Sequence, residues 1–311
     1  MNITPSNRTN LYAYNKFFLS IKNMFDTNKL PNKIIFSGNK GIGKNTFVYH
    51  LINYIFSQNE DNKYNFNNNI ISEENYSYNL IKKGTHPNFF LISNDNEKSN
   101  SQISRVREMI DFTNKSSFND GYKIILIDNI ELLNLNSINA LLKIIEEPND
   151  KIFFFLIHDS KSKIIDTLAS RCIKFNFFLT NSEKNDVISK IFSDDFFSTL
   201  NNDFKNIYNS PGDIVSLYDC FKENDIDSNI SIDDFLKTII DKSLYKKDLY
   251  IKSKLSYFVE LYFIKKIYFF NSNIDMYRSC KYFLSKLFNC NKYNLDIESV
   301  LIEFKGKILN G

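Results

Sequence analysis

Residues 33–46 read Lys-Ile-Ile-Phe-Ser-Gly-Asn-Lys-Gly-Ile-Gly-Lys-Asn-Thr and decide the fold of the amino-terminal half. An apolar run at 33–37 predicts a strand that ends at Gly38, and the helical spacing of apolar residues over 47–56 predicts a helix. A strand, a glycine-rich loop and a helix in this order are typical of a phosphate-binding loop. Glycines let backbone amides approach phosphate oxygens, and the helix N-terminus adds positive charge. An ordinary glycine-rich turn is the alternative.

The side chains of this loop indicate how a nucleotide would be held. The candidate binding residues are Gly38, Gly41, Gly43, Lys44, Asn45 and Thr46, together with Asp128 at the end of a later strand. Lys44 would neutralise the β- and γ-phosphates. The hydroxyl that binds Mg²⁺ belongs directly after this lysine, but Asn45 stands there, and Thr46 lies about 100° further round the helix. We therefore expect ATP or ADP at a degenerate site, with Mg²⁺ weak or absent, because an amide oxygen is a weaker ligand.

Further apolar runs define the domain organisation. Strands are predicted at 33–37, 89–93, 122–127, 152–157 and 173–177, alternating with helices at 47–56, 102–112 and 138–145. Strands of this kind form a parallel sheet covered on both faces, so the fold class is α/β. After 179 no strand stands out. We predict an α/β domain at 1–179 with a surface insertion at 58–79, a small helical domain at 180–228, and a helical domain at 229–311.

Composition excludes several classes of protein. The 311 residues carry a net charge of +3 and no apolar run near the roughly 20 residues that span a bilayer. The polar N-terminus does not resemble a secretory signal, so we expect a cytoplasmic protein without membrane contact. The four cysteines lack C-x-x-C spacing, and the three histidines are scattered. We therefore expect no metal bound by the protein alone, and no zinc.

Three motifs follow one another between residues 139 and 172. They are Asn139-Ala140-Leu141-Leu142-Lys143, Glu146-Glu147-Pro148 and Ser170-Arg171-Cys172. Together with the phosphate loop and Asp128, they resemble the AAA+ clamp-loader subunits of replicative DNA polymerases. The detailed resemblance covers 15–178, and domain order extends it over the chain. It implies an AAA+ phosphate-loop domain followed by a helical lid domain and a helical C-terminal collar domain that oligomerises.

Within this family the departures favour the delta-prime type of bacterial DNA polymerase III over the gamma or tau type. Active AAA+ members usually carry Glu directly after the strand-end Asp, where this chain has Asn129, and often carry Arg where it has Asp213. Glu131 is not expected to face the same point as Asn129. The resemblance therefore implies weak or absent intrinsic ATPase activity. Many members also carry a zinc module where this chain has 58–79.

The resemblance gives Arg171 a role as an arginine finger. A guanidinium stays charged and forms paired hydrogen bonds with phosphate oxygens of an ATP bound to a neighbouring subunit. Considered alone, Arg171 would be interpreted as a member of a surface ion pair. Asp159, or His158 before it, occupies the position of a first sensor residue, although simple strand termination explains them equally well.

The implied partners are gamma or tau and delta subunits in a hetero-oligomeric ring, the sliding clamp, and primer-template DNA. Arg105 or Arg107 could contact DNA phosphates, although a solvated helix face is the simpler interpretation. An apolar stripe at 257–268 could be core or could contribute to the collar. Two other functions stay open: an active gamma- or tau-like motor, and an unrelated phosphate-loop kinase, which should lack the Ser-Arg-Cys motif.

Overall fold

The computed structural model describes residues 4–93, 99–146, 151–192, 196–205, 210–269 and 274–309. The chain divides into two compact units, one of residues 1–190 with Ser210–Gly212 and one of residues 191–209 with 213–311. The three-domain division with boundaries near 179 and 228 stays a prediction. No helix in the described part of the chain combines the length and apolar character that a membrane span requires.

The first unit is built on a five-stranded parallel sheet. Its strands are β1 (Lys33–Gly38), β2 (Phe89–Ile92), β3 (Lys123–Ile127), β4 (Ile152–Asp159) and β5 (Ile173–Asn176). Their order across the sheet is β2-β3-β4-β1-β5, and every pairing is parallel. All five predicted strands are thus present, which confirms the α/β fold class with a parallel sheet.

Alternation along the strands separates two cores, one on each face of the sheet. In β4, Phe153 and Phe155 pack on one face with Phe18 and Phe47, while Phe154 and Leu156 pack on the other with residues such as Leu141. The central strands are buried on both faces, whereas the edge strand β5 is largely exposed. A sheet whose two faces are covered still exposes the strands at its edges, and the short strand β5 is one of these.

The α-helices of the described structure are distributed over both units. In the first unit they are α1 (Asn15–Asp26), α2 (Lys44–Phe56), α3 (Tyr76–Lys82), α4 (Ser99–Asn114), α5 (Leu135–Glu146), α6 (Asp166–Ala169) and α7 (Asn181–Ile191). In the second they are α8 (Phe196–Thr199), α9 (Asn202–Lys205), α10 (Pro211–Glu223), α11 (Ile232–Asp241), α12 (Leu244–Lys247), α13 (Leu249–Phe269), α14 (Ile274–Tyr293) and α15 (Glu298–Phe304). Described residues after β5 contain no strand, as predicted.

The apolar stripe of α13 is mostly core. Phe258, Leu261 and Phe263 are buried within the second unit, whereas Ile264 is 52% exposed. Phe263 packs against Phe283 of α14 and Phe304 of α15. The stripe therefore holds the helices of this unit together, and Ile264 is left for any outside contact.

The segment 58–79, whose composition predicts a surface insertion, contributes buried side chains to the core of the first unit. Tyr64 and Ile71 are buried and join the core beside α2. The Glu60 carboxylate accepts from the backbone N–H groups of Tyr76 and Ser77 at 3.1 Å each, which places a negative charge at the N-terminus of α3. A few spaced apolar side chains and well-placed hydrogen bonds thus order an asparagine-rich stretch, and the assignment of 58–79 as an insertion stays a prediction.

Two histidines, His50 fully buried and His86 half-buried, attach this region to α2 and are expected to make its stability depend on pH. His50 is fully buried with Nδ1 at 2.9 Å from the Tyr64 hydroxyl, and burial lowers the pKa of its ring to about 3. His86 stacks on Phe56 with ring centroids 4.1 Å apart, and burial lowers its pKa to about 4. An unfolded histidine has a pKa near 6.5. Both rings therefore favour folding above pH 6.5, and this contribution is lost as pH falls.

We expect the free energy of unfolding to decrease between pH 6.5 and pH 4.5 by up to about 1.4 kcal/mol per pH unit for each of the two rings. In His50→Phe, urea unfolding measured at several pH values should show a slope smaller by one proton. Loss of the bond to Tyr64 lowers stability equally at every pH and leaves the slope alone. A variant with the wild-type slope would contradict the assignment.

Candidate phosphate-binding site

The loop between β1 and α2 has the backbone that the sequence predicts for a phosphate loop. Gly41 and Gly43 adopt φ values of +80° and +90°, a region that favours glycine. Gly43 is the N-cap of α2, so the first amides of that helix follow directly. The strand, loop and helix are therefore in place, with Gly38 as the last residue of β1.

Lys44 turns back onto this loop. Lys44 is 6% exposed, and its Nζ donates to the Gly38 carbonyl at 2.5 Å and to the Asn39 carbonyl at 2.7 Å. Burial lowers the pKa of Lys44, while the charges of Asp159, Glu131 and Asp128 act in the opposite direction. A phosphate would have to replace carbonyl oxygens as the partner of this ammonium group.

Asn45 and Asp128 are joined directly. Asn45 Nδ2 donates to Asp128 Oδ2 at 2.9 Å, across the junction between α2 and the end of β3. The position that normally offers a hydroxyl to Mg²⁺ thus presents an N–H donor to the carboxylate. This arrangement does not fit Mg²⁺, which requires oxygen ligands in near-octahedral geometry. Thr46 is half-buried on the same helical turn.

Glu131 corrects the sequence analysis, because it does approach the site. Glu131 Oε2 accepts from the backbone N–H of Asp159 at 3.3 Å, and Asp159 is paired in register with Gly38. The path is set by Asn129, which adopts φ 52°, and by the 3₁₀ turn Ile130–Leu132 that follows. Asparagine tolerates this left-handed conformation. The spacing of Asn129 and Glu131 in the sequence does not by itself show that Asn129 takes this conformation.

The end of β4 separates the two candidates for a sensor residue. His158 is buried, with Nδ1 at 3.0 Å from Ser37 Oγ and Nε2 at 3.1 Å from the Ser162 carbonyl. Asp159 lies at the strand end, and Ser160 Oγ donates to Asn39 Oδ1 in the phosphate loop at 2.9 Å. His158 thus links β1 to the segment after β4. Of the two residues, Asp159 is the one whose negative charge acts to raise the pKa of Lys44.

The start of α10 contributes two different features. The Gly212 N–H donates to the Gly41 carbonyl at 2.9 Å, and a Cβ on Gly212 would lie 2.8 Å from the Gly41 Cα. Glycine is needed at 212 for this approach. In the second unit, the Asp213 carboxylate accepts from Lys254 Nζ at 2.8 Å. The position at which the resemblance leads one to look for an arginine therefore holds an ion-paired acid.

Arg171 is exposed and held by two acceptors. It follows α6, and its side chain is 38% exposed. Nη2 lies 2.8 Å from Glu146 Oε1, and Nη1 donates to the Thr167 carbonyl at 2.9 Å. Cys172 is half-buried, and burial raises the pKa of its thiol to about 11, so it packs rather than reacts. Glu147 and Pro148 of the second motif lie outside the described residues.

A cavity of about 200 Å³ lies beside Asp128. Its lining comprises Thr4, Pro5, Ser6, Asn45, Tyr49, Leu91, Ser93, Leu126 and Asp128. Sequence analysis did not foresee that the N-terminal turn Pro5–Asn7 contributes to this wall. Among the described residues, no group of three or more His, Cys, Asp or Glu side chains is placed to hold a metal ion.

Known proteins resemble the part of the chain that contains this site. The family described as "DNA polymerase III, delta subunit" matches residues 14–181, which include the phosphate loop, Asp128 and Arg171. The chain belongs to this family. The matched segment contains the whole parallel sheet, so membership rests on the same residues that build the candidate site.

Curated relatives divide between two kinds of subunit. The chain is 34% identical over 157 residues to DNA polymerase III subunit delta' of Buchnera aphidicola subsp. Baizongia pistaciae, covering 49% of this chain and 45% of the relative. It is 32% identical over 95 residues to delta' of Pseudomonas aeruginosa, covering 30% and 29%. It is 29% identical over 165 residues to subunit gamma of Buchnera aphidicola subsp. Acyrthosiphon pisum, covering 53% and 43%. The chain thus matches less than half the length of each.

Proposed function

We propose that this chain is a delta-prime-like subunit of the DNA polymerase III clamp loader, which acts in DNA replication in the cytoplasm. It would be a mostly non-catalytic stator that supplies Arg171 to the ATP site of a neighbouring subunit during loading of the sliding clamp. The observation that carries this proposal is the contrast between two sites. Arg171 is exposed and held by two acceptors, whereas in the chain's own phosphate loop Asn45, at the position of the Mg²⁺-binding hydroxyl, donates to Asp128.

The chain's own site would hold ATP or ADP weakly. Backbone amides at the start of α2 and the ammonium of Lys44 offer contacts to phosphate. Lys44 would first have to leave the Gly38 and Asn39 carbonyls. The carboxylate of Asp128 already receives the Asn45 amide, so binding would depend little on Mg²⁺. Hydrolysis by this chain would be slow.

The partners belong to the same proposal. They are gamma or tau and delta subunits in a hetero-oligomeric ring, the sliding clamp and primer-template DNA. Arg105 is paired with Glu108 at 2.8 Å, whereas Arg107 on the same helix is exposed. Arg107 is therefore the better candidate of the two for a DNA phosphate.

A gamma-like motor is the second candidate. It is favoured by the gamma relatives and by Glu131, whose carboxylate lies near the end of β4 and acts on Lys44. That carboxylate could orient water in place of the missing residue at 129. This reading requires turnover by the isolated chain.

A reconstitution with a Lys44→Met variant separates the two candidates. For a stator, the isolated chain should hydrolyse ATP at a rate near background and should raise DNA-stimulated hydrolysis when mixed with gamma or tau and delta subunits. Lys44→Met should leave that stimulation within about twofold of the wild type. A motor would lose its own turnover with the lysine that contacts the β- and γ-phosphates. Robust hydrolysis by the isolated wild-type chain, abolished by Lys44→Met, would overturn the stator proposal.

A further inference from the structure

Glu146 lies at the end of the described part of α5, and its side chain is 51% exposed. The carbonyl of the preceding residue, Ile145, accepts from Lys33 Nζ at 2.9 Å, which ties this part of α5 to β1. The Glu146 carboxylate lies 2.8 Å from Nη2 of Arg171. This ion pair joins α5 to the segment that follows α6.

This contact completes a two-point hold on the guanidinium. Nη1 is bound by the Thr167 carbonyl of α6, and Nη2 by the carboxylate from α5. The two acceptors come from separate helices and fix the plane of the group. Holding the guanidinium in this way removes part of the rotamer entropy of the arginine side chain before any phosphate arrives. The two contacts use two of the five N–H donors of the guanidinium, and the side chain is 38% exposed.

We propose that Glu146 is a positioning residue for Arg171, which holds the guanidinium in the orientation that meets a phosphate on the neighbouring subunit. This inference rests on the proposed function of Arg171. The pair is exposed on both sides, with Glu146 at 51%, and exposed pairs contribute little to stability. Such a weak pair orients the arginine without withholding it from a phosphate, which binds a guanidinium at two points.

The test is a double-mutant cycle in the reconstituted complex. Glu146→Ala should lower kcat for DNA-stimulated ATP hydrolysis about two- to fivefold and leave KM for ATP unchanged. Glu146→Gln, which keeps an acceptor oxygen, should recover part of the rate. In an Arg171→Ala background, Glu146→Ala should have no further effect, because the group that it orients is gone. Gel filtration should show wild-type assembly for each variant.

A matched control is available in the second unit. Glu298 pairs with Lys246 at 2.7 Å and is 42% exposed, so Glu298→Ala removes a comparable surface ion pair. It should leave kcat unchanged. Glu146→Ala would overturn the inference if it left kcat unchanged, raised it, or lowered it equally in the Arg171→Ala background. If Arg171→Ala itself left hydrolysis unchanged, the proposed function would fail and the inference with it, whereas loss of coupling alone would overturn only the inference.

Discussion

Replacement of Arg171 by alanine is expected to slow ATP hydrolysis at the neighbouring site about 10³-fold or more, which is the lower range for an arginine finger. The guanidinium would stabilise charge that develops on the transferred phosphoryl group, and alanine offers nothing in its place. Single-turnover hydrolysis by the reconstituted complex is the direct measurement, because it isolates chemistry from product release. Assembly should persist, since the described contacts of the Arg171 side chain are an exposed ion pair and one exposed hydrogen bond.

Two other substitutions sharpen that result. Arg171→Lys keeps the charge but loses the planar fork, so it should recover a minor part of the rate. Arg278→Ala removes a different exposed arginine, which lies 3.6 Å from Asp275 in α14, and it should leave single-turnover chemistry unchanged. Wild-type hydrolysis in the Arg171→Ala complex would show that this arginine faces no neighbouring phosphate, and the stator proposal would lose its central residue.

The sheet could be predicted because its central strands are apolar along most of their length, which indicates that both of their faces are buried. Continuous apolar runs such as 124–127 and 152–157 exclude a half-exposed strand, and helices between them require parallel pairing. The phosphate loop was predictable for a related reason: Gly41 and Gly43 mark positions where the backbone needs φ values that other residues disfavour. In both cases local sequence determines the feature without reference to distant residues.

Contacts between distant residues were not predictable. Glu131 reaches the site because a single residue, Asn129, takes the left-handed conformation, and spacing alone does not report that choice. The Arg171–Glu146 pair joins residues from two separate helices, and the Asp213–Lys254 pair joins two helices that the sequence places far apart. For segment 58–79 the reason is different. Its average composition does not show that Tyr64 and Ile71 are buried.

Restoring two polar groups should convert the chain's own site into a working one. In the variant Asn45→Thr with Asn129→Glu, the hydroxyl offers an oxygen ligand to Mg²⁺ and releases Asp128 from the amide that now binds it. A carboxylate at 129 would orient the attacking water, a contribution of about 10²–10⁴-fold. The left-handed backbone at 129 strains a glutamate by about 1 kcal/mol or more. We therefore expect the lower end, about a 10²-fold gain in ATP turnover by the isolated chain.

The matched comparison is Asn45→Thr with Asn129→Gln, which has the same side-chain length at 129 but no negative charge. Turnover of the glutamate variant should exceed that of the glutamine variant about 10²-fold and should disappear when EDTA removes Mg²⁺, because both gains act through a metal-bound phosphate. Equal turnover of the two variants would place residue 129 outside the reach of the attacking water. If Glu131→Gln then abolished a residual activity of the wild-type chain, Glu131 would be the acceptor, since its carboxylate already lies at the end of β4.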